Sequence, residues 1–466
     1  MPDKNNKPVL IYDDDCGFCR FWVSRWKPFT QDTVIYKPSQ GVAENYPQIS
    51  PQQFKNSVYF VASDGSFCSG AQAVFKTFAN APNGKWLLRA YEKVPGFASV
   101  SEWGYRQVAE NRQIFSTVTR WFWGSSMQTP TWFLTRRVFL FLLGLVYILA
   151  FGSLWIQIEG LVGEAGILPA ELYLKGAETH WGAQRFWQVP TLFWLNAGNE
   201  FLYTVCLLGA GASLMVMVNF FTGWALLMAW IFYLSIFNVA QPFLGFQWDT
   251  LLLETGFLSL FLVSWRGNIN EPESSPSWFI IFLLRLLLFR VVFSSGVVKL
   301  LSQDPTWADL TALYYHYETQ PLPTWVGWYT HQLPQGFQEF SVVCVFVIQL
   351  GVVFLIFGPR RIRYIGCAAL VFFDVLIILT GNYGFFNLLT IALCLLLLDD
   401  SVFSRWLSTK GEKSKVSVFV IQKKSLLKVG LLGVCIMLYA VPLLTTNHPS
   451  IYANISKAIR PFHIFN

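Results

Sequence analysis

The sequence predicts a small N-terminal α/β domain followed by an all-α polytopic membrane domain of about nine transmembrane helices. Of its 466 residues, 54% are hydrophobic and 13% are charged, which is too apolar for an ordinary soluble protein. Charged and apolar residues mix up to about residue 123, whereas long apolar runs dominate from Arg137 onward. We therefore expect an α/β domain over residues 1–123, a linker over 124–136 and a multi-pass membrane domain over 137–466.

The N-terminal domain is predicted from five short segments in order. PVLIYDDD has the pattern of a buried strand, and the segment that begins at Cys16 and Cys19 that of an amphipathic helix. TVIYKP predicts a second strand, SVYFVASDGSFCSG a hairpin with Asp64 and Gly65 at its turn, and AQAVFKTFAN a helix. This order, with a CxxC pair at the start of the first helix, is typical of a thioredoxin-like domain.

The placement of the cysteine pair indicates thiol chemistry. A cysteine at a helix N-terminus has its thiolate favoured by unpaired amide groups, so Cys16 is the candidate nucleophile. Cys19 lies one turn further on and could resolve a mixed disulfide. Asp13 and its two acidic neighbours oppose the thiolate, so we expect a less acidic Cys16 and a more reducing couple than in strongly oxidising relatives of the fold.

Two alternatives remain open for this pair: half of a zinc site, or two cysteines that only pack. Zinc would require two further ligands, and Cys68 is the one additional candidate in the domain. We therefore favour a redox pair and expect no metal. His316 and Glu318, in the later segment YYHYETQ, are two further ligand types without a third nearby, and we interpret them as loop or interface residues.

The segment YDDDCGFCRFWV resembles the D-x-x-C-x-x-C signature of the DCC thiol-disulfide oxidoreductase-like family. KVPGFASVSEWGYRQVAENRQIF resembles the C-terminal helix of that family, which ends on an Asn-Arg pair, here Asn111 and Arg112. The resemblance implies a catalytic motif formed by Asp13, Cys16 and Cys19. It also implies a thiol redox partner in the compartment that the domain faces.

Nine apolar runs have about the twenty-residue length that spans a bilayer. They lie at 137–158, 199–218, 220–240, 248–265, 278–301, 339–357, 364–380, 384–398 and 426–445. Arg136 and Arg137 precede the first run, which predicts a cytoplasmic N-terminal domain, at the inner membrane if the chain is bacterial. The net charge of +7 could suggest nucleic acid, but the basic residues cluster at the ends of apolar runs, so we expect no nucleic-acid partner. The N-terminus MPDKNNKP shows no cleaved signal peptide.

The predicted spans contain ionisable residues, which are costly in hydrocarbon and therefore usually paired or exposed to a cavity. They are Glu200, Asp249, Glu254, Arg285, Arg290, Lys299 and Asp374. We expect Asp249 and Glu254 to meet Arg285 or Arg290 across helices. The loop between the fifth and sixth spans is predicted to face outward and is aromatic and polar; its candidate functional residues are His316, Tyr317, Glu318 and Gln320.

Three segments, QWDTLLLETGFLSLF, YYHYETQPLPTW and GNYGFFNLLTIALCLLLLDD, resemble the lipase maturation factor family over most of residues 137–466. That family is more distantly similar to the membrane part of vitamin K-dependent gamma-carboxylase, in which a lysine that corresponds to Lys299 in SSGVVKLLSQDPTW acts as a base. The first resemblance implies a polytopic protein that assists the folding or export of a client lipase or other exported protein. Members usually continue into a further extramembrane domain.

Three functions therefore follow as hypotheses. The favoured one is a membrane maturation factor with a cytoplasmic thiol-disulfide oxidoreductase head. The alternative is an integral-membrane, carboxylase-like enzyme that uses Lys299 as a base on a lipid or quinone-like substrate. The third is a membrane scaffold that binds lipid without chemistry. A bound membrane lipid or quinone is the cofactor candidate in each of the last two.

Overall fold

The computed structural model describes residues 7–81, 84–124, 130–263, 265, 276–403 and 460–463. The chain divides into two compact units, one formed mainly by Met1–Thr131 and the other mainly by residues from Trp132 onward. The predicted span at 426–445 and the basic linker before it lie outside the described residues.

The N-terminal unit is a four-stranded sheet with helices on both faces. Its elements are β1 Val9–Tyr12, α1 Gly17–Thr30, β2 Ile35–Pro38, α2 Pro51–Asn56, β3 Tyr59–Val61, β4 Phe67–Ser69, α3 Gly70–Ala79, α4 Lys85–Lys93, α5 Phe97–Glu110 and α6 Arg112–Trp123. The strand order is β2-β1-β3-β4, with β1 parallel to β2 and the other pairs antiparallel. Each of the five segments predicted from the sequence forms the expected strand, helix or hairpin.

Side chains of β1 alternate between two hydrophobic clusters, as the period of a strand requires. Leu10 packs with Val23 of α1 and Ala73 of α3 on one face. Ile11 packs with Phe54 of α2 on the other. β1 is therefore buried on both faces, and its end fixes the loop that leads to the cysteine pair.

Two polar contacts hold helix α5 against the start of α3 and against the residue before β3. The Glu102 carboxylate accepts from the backbone amides of Ala71, at 3.2 Å, and Gln72, at 2.9 Å, and so satisfies the N-terminus of α3. The Tyr105 hydroxyl accepts from the backbone amide of Val58 at 2.9 Å. Because α6 follows α5 after a single residue, these contacts also position α6.

The second unit is helical throughout its described part. Its α-helices are α7 Phe133–Val162, α8 Ala170–Trp181, α9 Arg185–Gln188, α10 Asn199–Met217, α11 Thr222–Ala240, α12 Gln247–Ser259, α13 Trp278–Leu301, α14 Pro305–Ala308, α15 Ala312–His316, α16 Trp325–His331, α17 Gln335–Phe346, α18 Arg360–Thr380, α19 Phe386–Leu395 and α20 Asp400–Phe403. One large core cluster joins the long helices.

Six helical segments among the described residues are long and apolar enough to cross a membrane. They are Phe133–Val162, Asn199–Met217, Thr222–Leu244, Trp278–Leu301, Gln335–Phe357 and Arg360–Thr380. These segments agree with six of the nine predicted spans, and the count of nine is not confirmed. The described part of the unit is thus a multi-pass helical bundle with six candidate spans.

Two of the predicted spans are shorter helices. The run at 248–265 contains α12 with 13 residues, and the run at 384–398 contains α19 with 10 residues. At 1.5 Å per residue these helices extend about 20 Å and about 15 Å, less than the roughly 30 Å hydrocarbon core. Both are largely buried within the bundle. Their apolar character therefore reflects contact with other helices rather than with lipid.

The span Gln335–Phe357 is not a regular α-helix. After α17 the chain forms a π-helical turn, Val347–Gly351, and then a 3₁₀ segment, Val352–Phe357. A Cβ atom at Gly296 of α13 would lie 2.7 Å from Leu350 of this turn. The small residue therefore allows α13 to pack closely against the π turn, as its Ser-Ser-Gly sequence suggested.

Candidate functional site

The cysteine pair lies where β1 ends and α1 begins. Cys16 is the N-cap of α1, and its sulfur accepts from the backbone amide of Cys19 at 3.3 Å. An amide of the first helical turn has no partner within the helix, so this bond satisfies it and stabilises negative charge on the sulfur. The position predicted for Cys16 is therefore the one that the structure shows.

Cys19 is less accessible than Cys16 and packs against the hydrophobic cluster of the sheet, beside Cys68 and Tyr105. Both cysteines are unbridged. The pair thus combines a capping thiol with a second thiol one turn into the core, which is the arrangement of a nucleophile and a resolving cysteine.

The acidities of the two thiols differ strongly. A hydrogen bond from the Cys19 side chain, together with backbone amides and the charge of Arg112, lowers the pKa of Cys16 to about 6, against the opposing effect of burial. The same hydrogen bond and burial raise the pKa of Cys19 far above its ordinary value. The expectation that Cys16 is less acidic than in strongly oxidising relatives of the fold stays a prediction.

Asp13 is held by three groups, and its charge also acts on Cys19. Its Oδ1 accepts from the backbone amide of Asp15 at 3.1 Å and from the Gln40 side chain at 3.0 Å. Its Oδ2 lies 3.6 Å from Arg112. Arg112 also donates to the backbone carbonyls of Lys55 and Asn56. Asp13 is thus a positioning residue for the loop and for Arg112, whose charge faces Cys16.

The four charged residues of the predicted membrane network do not form one cluster. Glu254 of α12 and Arg290 of α13 form an ion pair, in which Glu254 is buried. An ionised carboxylate at this depth needs a cationic or hydrogen-bonding partner, and Arg290 supplies one.

Asp249 and Arg285 have other partners, so the expected pairing is wrong for them. Asp249 Oδ1 accepts from the Tyr233 hydroxyl at 2.5 Å, and no arginine is bonded to it within the described part of the chain. Arg285 donates twice to the Leu396 carbonyl, at 3.0 and 2.7 Å. Asp249 lies one turn or more from Glu254 along α12, and this offset places it against α11 rather than α13.

Lys299 lies in the last turn of α13. Its Nζ donates to the Ser295 carbonyl at 3.0 Å and lies 5.1 Å from the centre of the Trp307 ring. The carbonyl oxygen accepts a hydrogen bond from the amine, and the face of the Trp307 ring attracts a positive charge. The role of Lys299 as a base, which the carboxylase resemblance implies, stays a prediction.

The loop residues form a second polar group. The His316 ring nitrogen Nε2 lies 2.8 Å from Gln320 Nε2 and 3.1 Å from the Tyr383 hydroxyl. Burial lowers the pKa of His316, and the charge of Lys299 acts in the same direction. Tyr317 packs into a small core with Leu313 and Val342, whereas Glu318 lies 3.8 Å from His331. The four predicted residues therefore do not converge on one point, and the described residues contain no group of metal ligands.

Sequence reasoning missed the partners that define these sites. Tyr233, Trp307 and Tyr383 contact Asp249, Lys299 and His316 respectively, at separations of 16, 8 and 67 residues. An aromatic residue carries no periodic signal that separates a polar contact from packing. Arg112 was visible as part of the DCC resemblance, but its approach to Cys16 was not.

Two family matches cover most of the chain. Residues 134–405 match the lipase maturation factor transmembrane domain family, and residues 10–117 match the DCC1-like thiol-disulfide oxidoreductase family. The matches agree with both resemblances seen in the sequence, and they do not extend to the gamma-carboxylase. No solved structure matches the chain.

Curated relatives are similar along the membrane part. The chain is 46% identical over 292 residues to lipase maturation factor 2 of Gallus gallus, which covers 60% of this chain and 40% of the relative. It is 43% identical over 292 residues to lipase maturation factor 2 of Homo sapiens, covering 57% and 40%. It is 34% identical over 307 residues to lipase maturation factor 1 of Bos taurus, covering 64% and 54%.

The chain therefore spans about half, or less, of the length of these relatives. The match to the transmembrane domain family, in contrast, includes more than half of this chain. The multi-pass bundle and the capped cysteine pair are both consistent with the two matched families. The chain belongs to the lipase maturation factor family and carries a DCC1-like thiol-disulfide oxidoreductase domain at its N-terminus.

Proposed function

We propose that this protein is a membrane-embedded maturation factor for secreted lipases or other hydrolases, with an N-terminal unit that performs thiol-disulfide exchange in the cytosol. The membrane role is supported by the family match and by relatives named lipase maturation factors. The exchange role is supported above all by one observation: Cys16 caps α1 and accepts a hydrogen bond from the amide of Cys19.

The exchange reaction follows from the two acidities. At neutral pH Cys16 is a thiolate, because its pKa is lowered to about 6, and a thiolate attacks a disulfide sulfur. A mixed disulfide forms and one substrate thiolate leaves. Cys19 then attacks the Cys16 sulfur, its proton passes to the second leaving thiolate, and the pair becomes a disulfide. While Cys16 is a thiolate, its negative charge and the burial of Cys19 keep the proton on Cys19. The mixed disulfide removes that charge, so Cys19 can then react.

The orientation of the N-terminal unit rests on charge asymmetry. Arg136 and Arg137 lie at the start of α7, and Arg360 and Arg361 at the start of α18. Basic residues at the ends of spans remain on the cytoplasmic side. An impermeant maleimide applied to intact cells should then leave Cys16 unmodified, whereas a permeant maleimide should label it. Labelling by the impermeant reagent would reverse the orientation.

The maturation role is tested with a secreted lipase as client. The lipase is produced in cells that carry the wild-type protein, no such protein, or the Glu254→Gln variant, and its secreted activity is divided by its total amount. We expect the ratio to fall when the protein is absent and when the membrane ion pair is broken. Equal ratios in all three cells for a panel of secreted hydrolases would contradict the proposal.

A further inference from the structure

A cleft of about 610 Å³ opens beside Cys16. Three of its lining residues are basic: Lys55 from α2, and Arg112 and Arg120 from α6. Lys55 and Arg120 are exposed, whereas Arg112 is largely covered. The nucleophilic sulfur therefore lies in a concave site with cationic groups around it.

The wall formed by α6 has a regular spacing. Arg112, Ser116 and Arg120 follow one another at four-residue intervals and so share one face of the helix. The two arginine Cα atoms are two turns apart, which is about 12 Å along the axis. A molecule bound along this wall meets a cation at each end and a hydroxyl between them.

The acidic residues of the cleft do not cancel this pattern. Asp13 is already held by Gln40 and by the backbone of Asp15, and it lies against Arg112 at the closed end. Asp15 is the other lining carboxylate. Arg120 lies about 12 Å along α6 from the end that Asp13 contacts, so its charge remains available to an anion.

The cleft is poorly suited to an extended peptide. A peptide that adds to a sheet edge needs free backbone donors and acceptors in its host. The carbonyls of Lys55 and Asn56, which come just before β3, already accept from the Arg112 guanidinium. Recognition in the cleft therefore depends on side-chain charge rather than on backbone pairing.

We infer that the cleft binds a small disulfide whose ends carry carboxylates, oriented along α6 by Arg112 and Arg120 with its sulfur atoms at Cys16. This inference rests on the proposed exchange function and names its substrate class. The reduced pair supplies two electrons: Cys16 and Cys19 become a disulfide and the substrate becomes two thiols. That half reaction consumes no other reductant. Each released thiol retains its carboxylates and leaves the cleft.

The test uses the purified full chain in detergent, reduced beforehand, and measures the rate at which it reduces three disulfides. Oxidised glutathione is anionic, 2-hydroxyethyl disulfide is neutral and cystamine is cationic. We expect Arg120→Gln to slow the reaction with oxidised glutathione by about fivefold at low salt, since one cation near a carboxylate is removed. Reaction with the neutral disulfide should change by less than about twofold.

Arg89→Gln is the matched control, because Arg89 is an exposed arginine on α4 outside the cleft. It should leave all three rates unchanged. The preference of the wild type for oxidised glutathione over cystamine should also fall when the salt concentration is raised to about 0.5 M, as screening requires. Binding of unreactive S-methylglutathione, followed by calorimetry, should weaken in the Arg120 variant alone.

The outcomes separate the inference from the function it rests on. If the wild type reduces the neutral disulfide and shows no preference for the anionic one, the inference is overturned and the exchange function stands. If Arg120→Gln slows all three disulfides equally, the arginine supports the fold rather than the substrate, and the inference is again overturned. If the wild type reduces none of the three, the exchange function itself fails.

Discussion

The backbone amide of Cys19 donates to the sulfur of Cys16 across one turn of α1, at 3.3 Å. The same two residues also interact through their side chains, and this second contact has the largest effect on the acidity of Cys16. One cysteine is thereby charged at neutral pH while the other holds its proton. The first three predictions follow from this asymmetry.

Alkylation of Cys16 should follow a single titration with a midpoint at about pH 6. The rate with iodoacetamide is measured from about pH 4 to 9 on a Cys68→Ser background. Cys19→Ala should move the midpoint upward, because it removes the side-chain hydrogen-bond donor to the thiolate. A midpoint near 8.5, the value of an ordinary cysteine, would mean that the cap does not stabilise the thiolate.

The lowered pKa also makes stability depend on pH in the reduced form. A group whose folded pKa lies below its unfolded value stabilises the fold above the unfolded pKa, and this contribution is lost as pH falls through the folded value. The reduced protein should therefore gain stability relative to the oxidised protein between about pH 6 and pH 9. Thermal unfolding of both forms at several pH values measures the difference, and an opposite slope contradicts the assignment.

The reduction potential of the pair should lie between those of two reference proteins. A stabilised thiolate favours the reduced form and makes the couple more oxidising, so we expect a value above about −270 mV and below about −120 mV. Arg112→Gln should shift the potential downward, because it removes a cation that acts on Cys16. Equilibration with glutathione buffers measures both values. A potential below that of thioredoxin would contradict the stabilised thiolate, and one near about −120 mV would contradict the expectation of a couple more reducing than strong oxidants.

The elements of the N-terminal unit could be predicted because they depend on local patterns. The alternation in β1 and the turn at Asp64 and Gly65 need no distant partner. The thiolate favoured by amide groups at the start of α1 could be predicted in the same way. The contribution of Arg112 could not, since Arg112 approaches Cys16 from a helix almost one hundred residues away.

The prediction of membrane spans was also limited, because it used only the local sequence. Hydropathy measures how apolar a segment is, and a helix buried among helices is as apolar as one in lipid. The sequence therefore predicted full spans where α12 and α19 are short buried helices. The ion pair of Glu254 and Arg290 followed from the cost of burying charge, whereas the Tyr233 hydroxyl bonded to Asp249 gave no comparable signal.

Breaking the pair of Glu254 and Arg290 should destabilise the bundle. Glu254→Gln removes the counter-charge of a partly buried arginine, which costs about 3 kcal/mol, and should lower the Tm in detergent by several degrees. Adding Arg290→Gln should recover part of the loss. Glu171→Gln is the control, because its pair with Lys175 is exposed and is worth less than about 0.5 kcal/mol. If Glu254→Gln and Glu171→Gln lowered the Tm equally, the membrane ion pair would contribute little to stability.

The last prediction concerns Lys299 and distinguishes a fixed cation from a base. Its Nζ donates to the Ser295 carbonyl and lies over the Trp307 ring, and the ring contact favours the ammonium form. Lys299→Met should therefore lower stability by about 0.5–2 kcal/mol, the range of a cation–π contact. Lys299→Arg should retain most of the stability, because a guanidinium also stacks on an aromatic ring.

A double-mutant cycle with Trp307→Leu isolates the contact. In the Trp307→Leu background, Lys299→Met should lower the free energy of unfolding by much less than in the wild type. The coupling energy between the two residues should equal the loss caused by Lys299→Met alone within about 0.5 kcal/mol. Lipase maturation measured on the same variants then separates the two roles. If Lys299→Arg unfolds like the wild type yet fails to support the client, the protein needs a lysine that can release its proton, and Lys299 acts as a base.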